Sequence, residues 1–538
     1  MDRYDYIVVG GGSAGCVTAA RLVQDFAARV LLLEAGPTDR HRLIDMPAGF
    51  VKLLFRPSPF VTVYKSEPQP SLDGRAVNIM QGHVLGGGSS VNAMTYTRGV
   101  PADYARWNDA LGGAGGWDWD SLLPYFKKHE ANQRLYDEAH GIDGPLKVSD
   151  AHHPICDASR AFLHTLQGMG VRYVPDMNGG EQEGVSLVQS TTFKGRRCSA
   201  ARAFIDPVKA NPRLTLRCDT QATRVLFEGS RAVGVEYISA GKAGSERAYA
   251  NSEVILTAGA YASPQLLMLS GIGPAADLLR LGIEVRIDLP GVGQNMQDHN
   301  SVSLVAQSDV ACGYFGEDRG VRMLINGLQY VCFGSGPIAS TASEVMAFIK
   351  TEPILAQPNL QLYCAPVMVP TPLFVPPMTH GFTLLANLVA PHSRGSMRLR
   401  SSNPADMPII EPNYLGDPRD LAAAVDGLRY LRSVVAAAPM KRLTKQVVGP
   451  DPVMESAEDL ATYCKAVTET NFHPVGSCRM GLDSNSSAVL TPALAVRGVN
   501  GLRVFDASMM PSIISANTNA PVMAVADRAV DLMIAGAA

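Results

Sequence analysis

Residues 5–22 read DYIVVGGGSAGCVTAARL, and the reading of this stretch decides the fold. Tyr6–Val9 is an apolar, β-branched run of the kind that forms a buried strand. Gly10-Gly11-Gly12 then predicts a tight turn, because glycine takes backbone angles closed to other residues. From Ser13 the pattern of Ala14, Val17, Thr18, Ala20 and Leu22 becomes helical. Gly10, Gly12 and Gly15 satisfy G-x-G-x-x-G, an arrangement that turns backbone N–H groups and the positive end of a helix toward a phosphate. The next segment, RVLLLEAG, predicts a second strand over Val30–Leu33 that ends at Glu34 and Ala35. Glu34 lies 24 positions after Gly10, where a carboxylate can hold a ribose hydroxyl. An ordinary βαβ unit with a chance acid would share some of these features, but position, order and spacing agree on a nucleotide site.

The totals set limits on what surrounds that unit. At 538 residues, two domains are expected. A composition 46% hydrophobic and 18% charged describes a soluble protein with a large core. The formal charge of −3 and the lack of any basic run argue against a nucleic-acid partner. No window of eighteen uninterrupted apolar residues suggests a membrane span. The start MDRYDYIVV enters a strand at once and has no signal-peptide pattern, so the expectation is cytoplasmic, with a peripheral seat on the inner membrane as the alternative. The nine cysteines are scattered without a C-x-x-C pair, which predicts free thiols and no metal site.

Along the chain, LIDMPAGFVKLLFRPSPF reads as irregular. GHVLGGGSSVNAMTYTRG is a second glycine cluster, Gly86–Gly88, followed by the small polar residues Ser89, Ser90 and Asn92. GGAGGWDWDSLLPYFKKHE predicts a helix capped at Asp118 or Asp120. RLTLRCDTQATRVLFEGSRAVGVEYI predicts a meander with turns at Gly229 and Gly234, and SEVILTAGAYASPQLLMLSGIGP a strand over Val254–Thr257, a small-residue turn and a helix. From about 300 to 460 the glycine motifs fade. NLQLYCAPVMV and GSMRLR predict strands of a second sheet, and DPRDLAAAVDGLRYLRSVVAA an amphipathic helix.

Six segments in this order resemble the glucose-methanol-choline (GMC) oxidoreductase family of flavoenzymes: GGGSAG with Glu34, GHVLGGGSSVNAM, LTAGAYASPQLLMLSGIG, LPGVGQNMQDH, NFHPVGSCRMG and LRVFDASMMPSIISANTNAPVMAVAD. Within that family, HGIDGPLKVSD and GRRCSAARAFIDP resemble the branch of bacterial L-sorbose dehydrogenase and polyethylene glycol dehydrogenase-like members. The resemblance implies an α/β (overall α+β) architecture. A Rossmann-like FAD-binding domain over 1–155, 196–300 and 465–538 would be interleaved with a substrate-binding cap, an antiparallel sheet with helices, over 156–195 and 301–464. It implies FAD contacts at Gly10, Gly12, Ser13, Ala14, Gly15, Glu34, Ala35, Val84, Gly88, Ser89, Asn92, Ala93, Met94, Val225, Asp506, Ala507 and Thr518. Two positions depart from the pattern. Val91 stands where some members link FAD through histidine, so FAD should be noncovalent. His83 stands where arginine is expected, which bears on a contact beside the pyrophosphate.

The same resemblance assigns the catalytic pair. An alcohol is oxidised by loss of a hydroxyl proton and of a hydride that flavin accepts. His473, in NFHPVGSC, is the expected base, and Pro474 holds it in extended geometry. Asn517, in SANTNAP, is expected to donate to the substrate oxygen. A helix is predicted over Pro521–Ile534, its positive end toward the flavin. The expected substrate is a primary alcohol, sugar or polyol. The acceptor is quinone-like, or O2 if the enzyme is an oxidase. An NAD enzyme and a noncatalytic flavin protein are the rival readings; the second glycine cluster argues against the first, and the presence of both His473 and Asn517 against the second. The sequence leaves the oligomeric state open.

Overall fold

The computed structural model describes residues 3–150 and 154–537. The boundary expected at 155 adjoins residues 151–153, which lie outside the described part. The first domain is built on a seven-stranded sheet. Its order is Leu214–Arg217, Val30–Leu33, Arg3–Val9, Glu246–Leu256, Arg231–Ser239 and Thr220–Glu228, with Leu502–Val504 added parallel to Glu246–Leu256. The first four strands run parallel and the last two antiparallel. Ile7, Val8 and Val30–Leu33 are buried, as strands covered on both faces require.

Register explains where the site forms. Val9 lies opposite both Leu33 and Leu256, Leu33 opposite Arg217, and Leu256 opposite Val504. Five strands therefore end at one level. The residues that follow, among them Gly10, Glu34, Thr220, Thr257 and Asp506, gather at one carboxyl edge, where open parallel sheets bind ligands. The chain's two ends pack together there. Helix Ser13–Gln24 lies against helix Asn519–Ala537 through Arg21, which pairs with Asp527 and, at 2.7 Å, with Asp531.

The second domain is an antiparallel sheet in the order Gln446–Gly449, Asn300–Gln307, Gly381–Leu388, Leu360–Ala365, Val345–Ile349 and Gly184–Leu187. The two-residue period divides its faces. Leu360, Leu362, Leu384 and Ala386 pack with residues of helices Asp157–Gly168, Pro418–Ala436 and Ala457–Val467. The alternate residues Tyr363, Leu385 and Asn387 line a cavity instead.

Four local expectations are corrected. Gly234 is not a turn. It lies inside strand Arg231–Ser239, where an added Cβ would sit 2.2 Å from the Ala248 carbonyl oxygen, so close strand approach explains it. The stretch 43–60 is not irregular throughout, because Gly49–Phe55 is helical. Ser396–Arg398 pairs with Ile409–Glu411 in a separate two-stranded sheet and not in the cap sheet. The boundary placed at 464/465 falls within helix Ala457–Val467, and Glu469–Thr470 still pairs with Asn300–Ser301 of the cap sheet.

Candidate active site

A cavity of about 710 Å³ runs from the carboxyl edge of the first sheet to the inner face of the cap. At the sheet end it is lined by Gly10, Gly12, Ser13, Ala14, Glu34 and Ala35. Backbones approach closely here. An added Cβ on Gly10, whose φ is +105°, would lie 2.6 Å from the Ala258 Cα, and one on Gly87 would lie 2.7 Å from the Gly12 Cα. The two glycine clusters thus pack on each other and leave a cradle with no side chains. Above it, Ser13 Oγ donates to Asn519 Oδ1 at 2.7 Å, which brings two helix N-termini together on one wall. Positive helix ends, a side-chain-free cradle and a carboxylate one strand away form the donor and acceptor set that a dinucleotide takes. The residues fit FAD.

Glu34 is buried, with Oε2 accepting from the Gly11 N–H at 2.7 Å and Oε1 from the Gly36 N–H at 2.8 Å. Burial raises its pKa to about 7 against the pull of those two N–H groups. Asp506 ties the last strand to helix Gly259–Leu269, accepting from the Gly259 N–H and the Ser263 hydroxyl.

At the other end, the His473 backbone is fixed by Asp298. This buried carboxylate accepts from the His473 N–H at 2.8 Å and from the Thr470 and Tyr414 hydroxyls. Burial raises its pKa to about 6 despite those donors. The His473 ring lies between two partners. Its Nε2 is 3.3 Å from Asn517 Nδ2, and its Nδ1 is 3.1 Å from His299 Nδ1, the two rings standing nearly perpendicular at 88°. Asn517 Oδ1 faces three donors: the Thr97 hydroxyl at 3.1 Å, and the Gln361 amide and Tyr363 hydroxyl, each at 3.3 Å. Those donors hold the amide with its NH2 toward His473, so the His473 Nε2 must accept. The proton of the neutral ring is then on Nδ1, which donates to His299. Burial lowers the His473 pKa to about 4, and burial together with the neighbouring His473 holds that of His299 well below the ordinary histidine value. Both rings are neutral at working pH, and His473 presents a lone pair to the cavity beside an amide donor.

Of the residues expected at the site, His473, Asn517, Gly10, Gly12, Ser13, Ala14, Glu34, Ala35, Gly88, Asn92, Ala93, Met94, Asp506, Ala507 and Thr518 line the cavity, as do Val91 and His83. Gly15, Val84, Ser89 and Val225 do not. Gly15 packs the first helix on its strand, since an added Cβ would lie 1.9 Å from the Gly10 carbonyl oxygen. Val84 is buried in a small cluster with Ile44, Leu53 and Val91. The Ser89 hydroxyl faces inward, donating to Gly86 O and accepting from the Ala200 N–H. Val225 is in the core with its N–H bonded to Ser270, and the wall of that strand is instead made by Thr220, Gln221 and Ala222. Thr97, His299, Gln361 and Tyr363 were not read from sequence. Only His299 carried a signal, ending the LPGVGQNMQDH motif.

Two family descriptions, both "GMC oxidoreductase", match residues 4–301 and 391–526. Human mitochondrial choline dehydrogenase is 40% identical over 99% of this chain and 90% of its own length. The Pseudomonas putida alcohol dehydrogenase (acceptor) is 39% identical over 99% and 96%. The crystal structure of pyridoxine 4-oxidase from Mesorbium loti superposes with a TM-score of 0.87 at 31% identity, covering 98% of each chain.

Proposed function

This chain belongs to the GMC oxidoreductase family, and from that premise we propose that His473 and Asn517 carry the oxidation of a neutral alcohol. The protein is an FAD-dependent oxidoreductase acting on CH–OH donors. Bound FAD supplies the acceptor for the hydride that leaves the alcohol carbon. The cradle at Gly10–Ala14 and Gly87–Gly88 would hold its pyrophosphate, and Glu34 its adenosine ribose. Val91 has no nucleophile, so the cofactor is held noncovalently.

The directed chain of hydrogen bonds from Thr97, Gln361 and Tyr363 through Asn517 and His473 to His299 carries this reading. His473 Nε2 takes the hydroxyl proton, and Asn517 Nδ2 donates to the oxygen as negative charge grows there. The His299 Nδ1 accepts from His473 and keeps the tautomer that leaves Nε2 unprotonated.

The substrate wall supports a neutral molecule. The cap side of the cavity carries Tyr363, Leu385 and Asn387, while the carboxylates of the described lining are already engaged: Glu34 by the Gly11 and Gly36 N–H groups, Asp506 by the Gly259 N–H and the Ser263 hydroxyl, and Asp406 by the Ser401 hydroxyl. Glu344 of the cap is not on the described cavity lining and accepts from the Cys156 N–H and the Tyr314 hydroxyl. Asn387 lines the cavity and its Oδ1 is buried without a partner, which favours a further hydroxyl group on the substrate, as in a polyol or sugar. Asn471 makes the wall beside the base polar and supports a dehydrogenase with a quinone-like acceptor; reaction with O2 is the second reading. Anaerobic flavin bleaching tests both points. Polyols and neutral primary alcohols should bleach the flavin faster than choline, and slow return of colour in air marks a dehydrogenase. Bleaching by choline alone would overturn the neutral-substrate reading.

A further inference from the structure

Helix Gly320–Phe333 is built inside out. Its polar residue Asn326 is its buried residue and bonds to Glu317 just before the helix, and the half-buried Gln329 bonds to Ser335 just after it. Its apolar residues face outward: Leu324, Leu328, Val331 and Phe333 are 67–81% exposed. A soluble surface helix has the opposite arrangement, and contiguous exposed apolar surface of this kind marks an interaction site.

The neighbours of this helix add charge. The hairpin tip at Gly195 packs on the helix end, since an added Cβ there would lie 2.1 Å from the Gly334 carbonyl oxygen. That tip carries exposed Lys194 and Arg196. The turn after the helix is bonded to the start of helix Gly49–Phe55, with the Ala48 N–H donating to the Ile338 carbonyl at 3.0 Å. Lys52 and Arg56 are exposed there, beside exposed Val51 and Phe55. Among the described residues, none of these four cations makes an ion pair, although the molecule as a whole is acidic at −3. Phe50, Leu54 and Phe55 also line the active-site cavity, so the patch borders the cavity along this helix. No helix among the described residues is long and apolar enough to cross a membrane.

We propose that this face docks on an anionic lipid bilayer, with helix Gly320–Phe333 lying in the interface and the cavity mouth turned to the membrane. Apolar groups between unpaired cations are complementary to acyl chains below anionic headgroups. A second copy of the chain would set these cations against one another, which disfavours self-association. The seat delivers an apolar acceptor or alcohol straight to the mouth; that consequence alone rests on the reaction proposed above.

Vesicle co-sedimentation of the FAD-loaded enzyme tests the docking without any turnover. Binding to phosphatidylcholine–phosphatidylglycerol vesicles should exceed binding to phosphatidylcholine alone and weaken with salt. Lys194→Gln and Arg196→Gln should each weaken it about fivefold. The triple change Leu324→Glu, Leu328→Glu and Phe333→Glu alters exposed groups and should abolish binding, with dye-coupled activity in solution retained. Wild-type enzyme that ignores anionic vesicles, or a triple variant that still binds them, overturns the proposal. So does a dimer that the triple variant loses while the wild type leaves vesicles unbound, since a second copy then covers the face.

Discussion

His140 is buried and His473 half-buried at the cavity wall, and their surroundings drive them to opposite charge states. His140 lies between two carboxylates, with Nδ1 2.9 Å from Glu130 Oε2 and Nε2 3.1 Å from Asp176 Oδ2. Burial alone would lower its pKa, but hydrogen bonds to Asp176 and Glu130 raise it to about 9. Arg98 completes the network, 2.5 Å from Glu130 Oε2. His473 has no carboxylate on its ring, and burial takes it to about 4. One histidine is a fixed cation that pins the first domain to the 156–195 segment; the other is a lone pair kept ready. Asp137 lies close to this pair, and both ring nitrogens of His140 are taken up by Glu130 and Asp176. The pairing of a buried ring, and not burial, decides whether it holds structure or moves a proton.

The largest effect that tests this contrast is expected for His473→Ala. Removal of the base should slow anaerobic flavin reduction roughly 10²–10⁴-fold in stopped flow, with FAD content retained. In the wild type the acid limb should lie near pH 4, well below an ordinary histidine. An acid limb near 6.5, or a variant reducing flavin at the wild-type rate, breaks the contrast on the catalytic side.

The second test concerns His140→Gln. Its raised pKa means that the folded state holds the proton more tightly, so the stabilisation is full below about pH 6.5 and is lost as pH rises toward 9. The variant should lose roughly 2–3 kcal/mol at pH 6 and little at pH 9. His473 acts with the opposite sign: its lowered pKa costs stability as pH falls from 6.5 toward 4. Thermal midpoints of the wild type should therefore peak near neutrality. Equal losses at both pH values in His140→Gln would show that the ring only fills space.

Residues whose role is local were legible in the sequence, and residues whose role is assembled in space were not. Gly10, Gly12 and Glu34 act through turn geometry and strand ends a short distance apart, so spacing reveals them. His473 was reached through a motif. Its partners come from four separate places: His299 ahead of a cap strand, Thr97 after the second glycine cluster, and Gln361 and Tyr363 on one face of strand Leu360–Ala365. Only the sheet's period and the domain packing bring them together. Ala222 and not Val225 lines the cavity, although both are on the same strand, and nothing local tells which of them meets the wall. Helix Gly49–Phe55 was missed because prolines flank it on both sides.

Glu34 extends the comparison to carboxylates. Glu130 has cations on both sides and is held below the usual range against burial, whereas Glu34 has only two N–H donors and rises to about 7. Glu34→Ala should weaken FAD binding by roughly 1.5–3 kcal/mol while flavin reduction in reconstituted enzyme stays close to wild type. Unchanged FAD affinity by fluorescence titration would remove Glu34 from the cofactor site.

The smallest effect expected is at His299, and it tests whether the catalytic ring needs a partner at all. His299 touches neither the cavity wall nor, in this reading, the substrate; it acts on His473 through one Nδ1···Nδ1 contact of 3.1 Å. His299→Leu keeps an apolar filler but removes the acceptor, leaving a buried His473 Nδ1–H unpaired. That costs about 1–3 kcal/mol, which the ring can relieve by moving its proton to Nε2. The base is then masked, so flavin reduction should fall about tenfold at every pH above the acid limb. Substrate affinity should hold, because Asn517 still has Thr97, Gln361 and Tyr363 on its oxygen. His299→Gln, which restores an acceptor at the same place, should recover most of the rate. Loss of rate in both variants alike would mean that His299 supports only the packing around the loop. Full rate in the leucine variant would mean that Asn517 alone selects the tautomer.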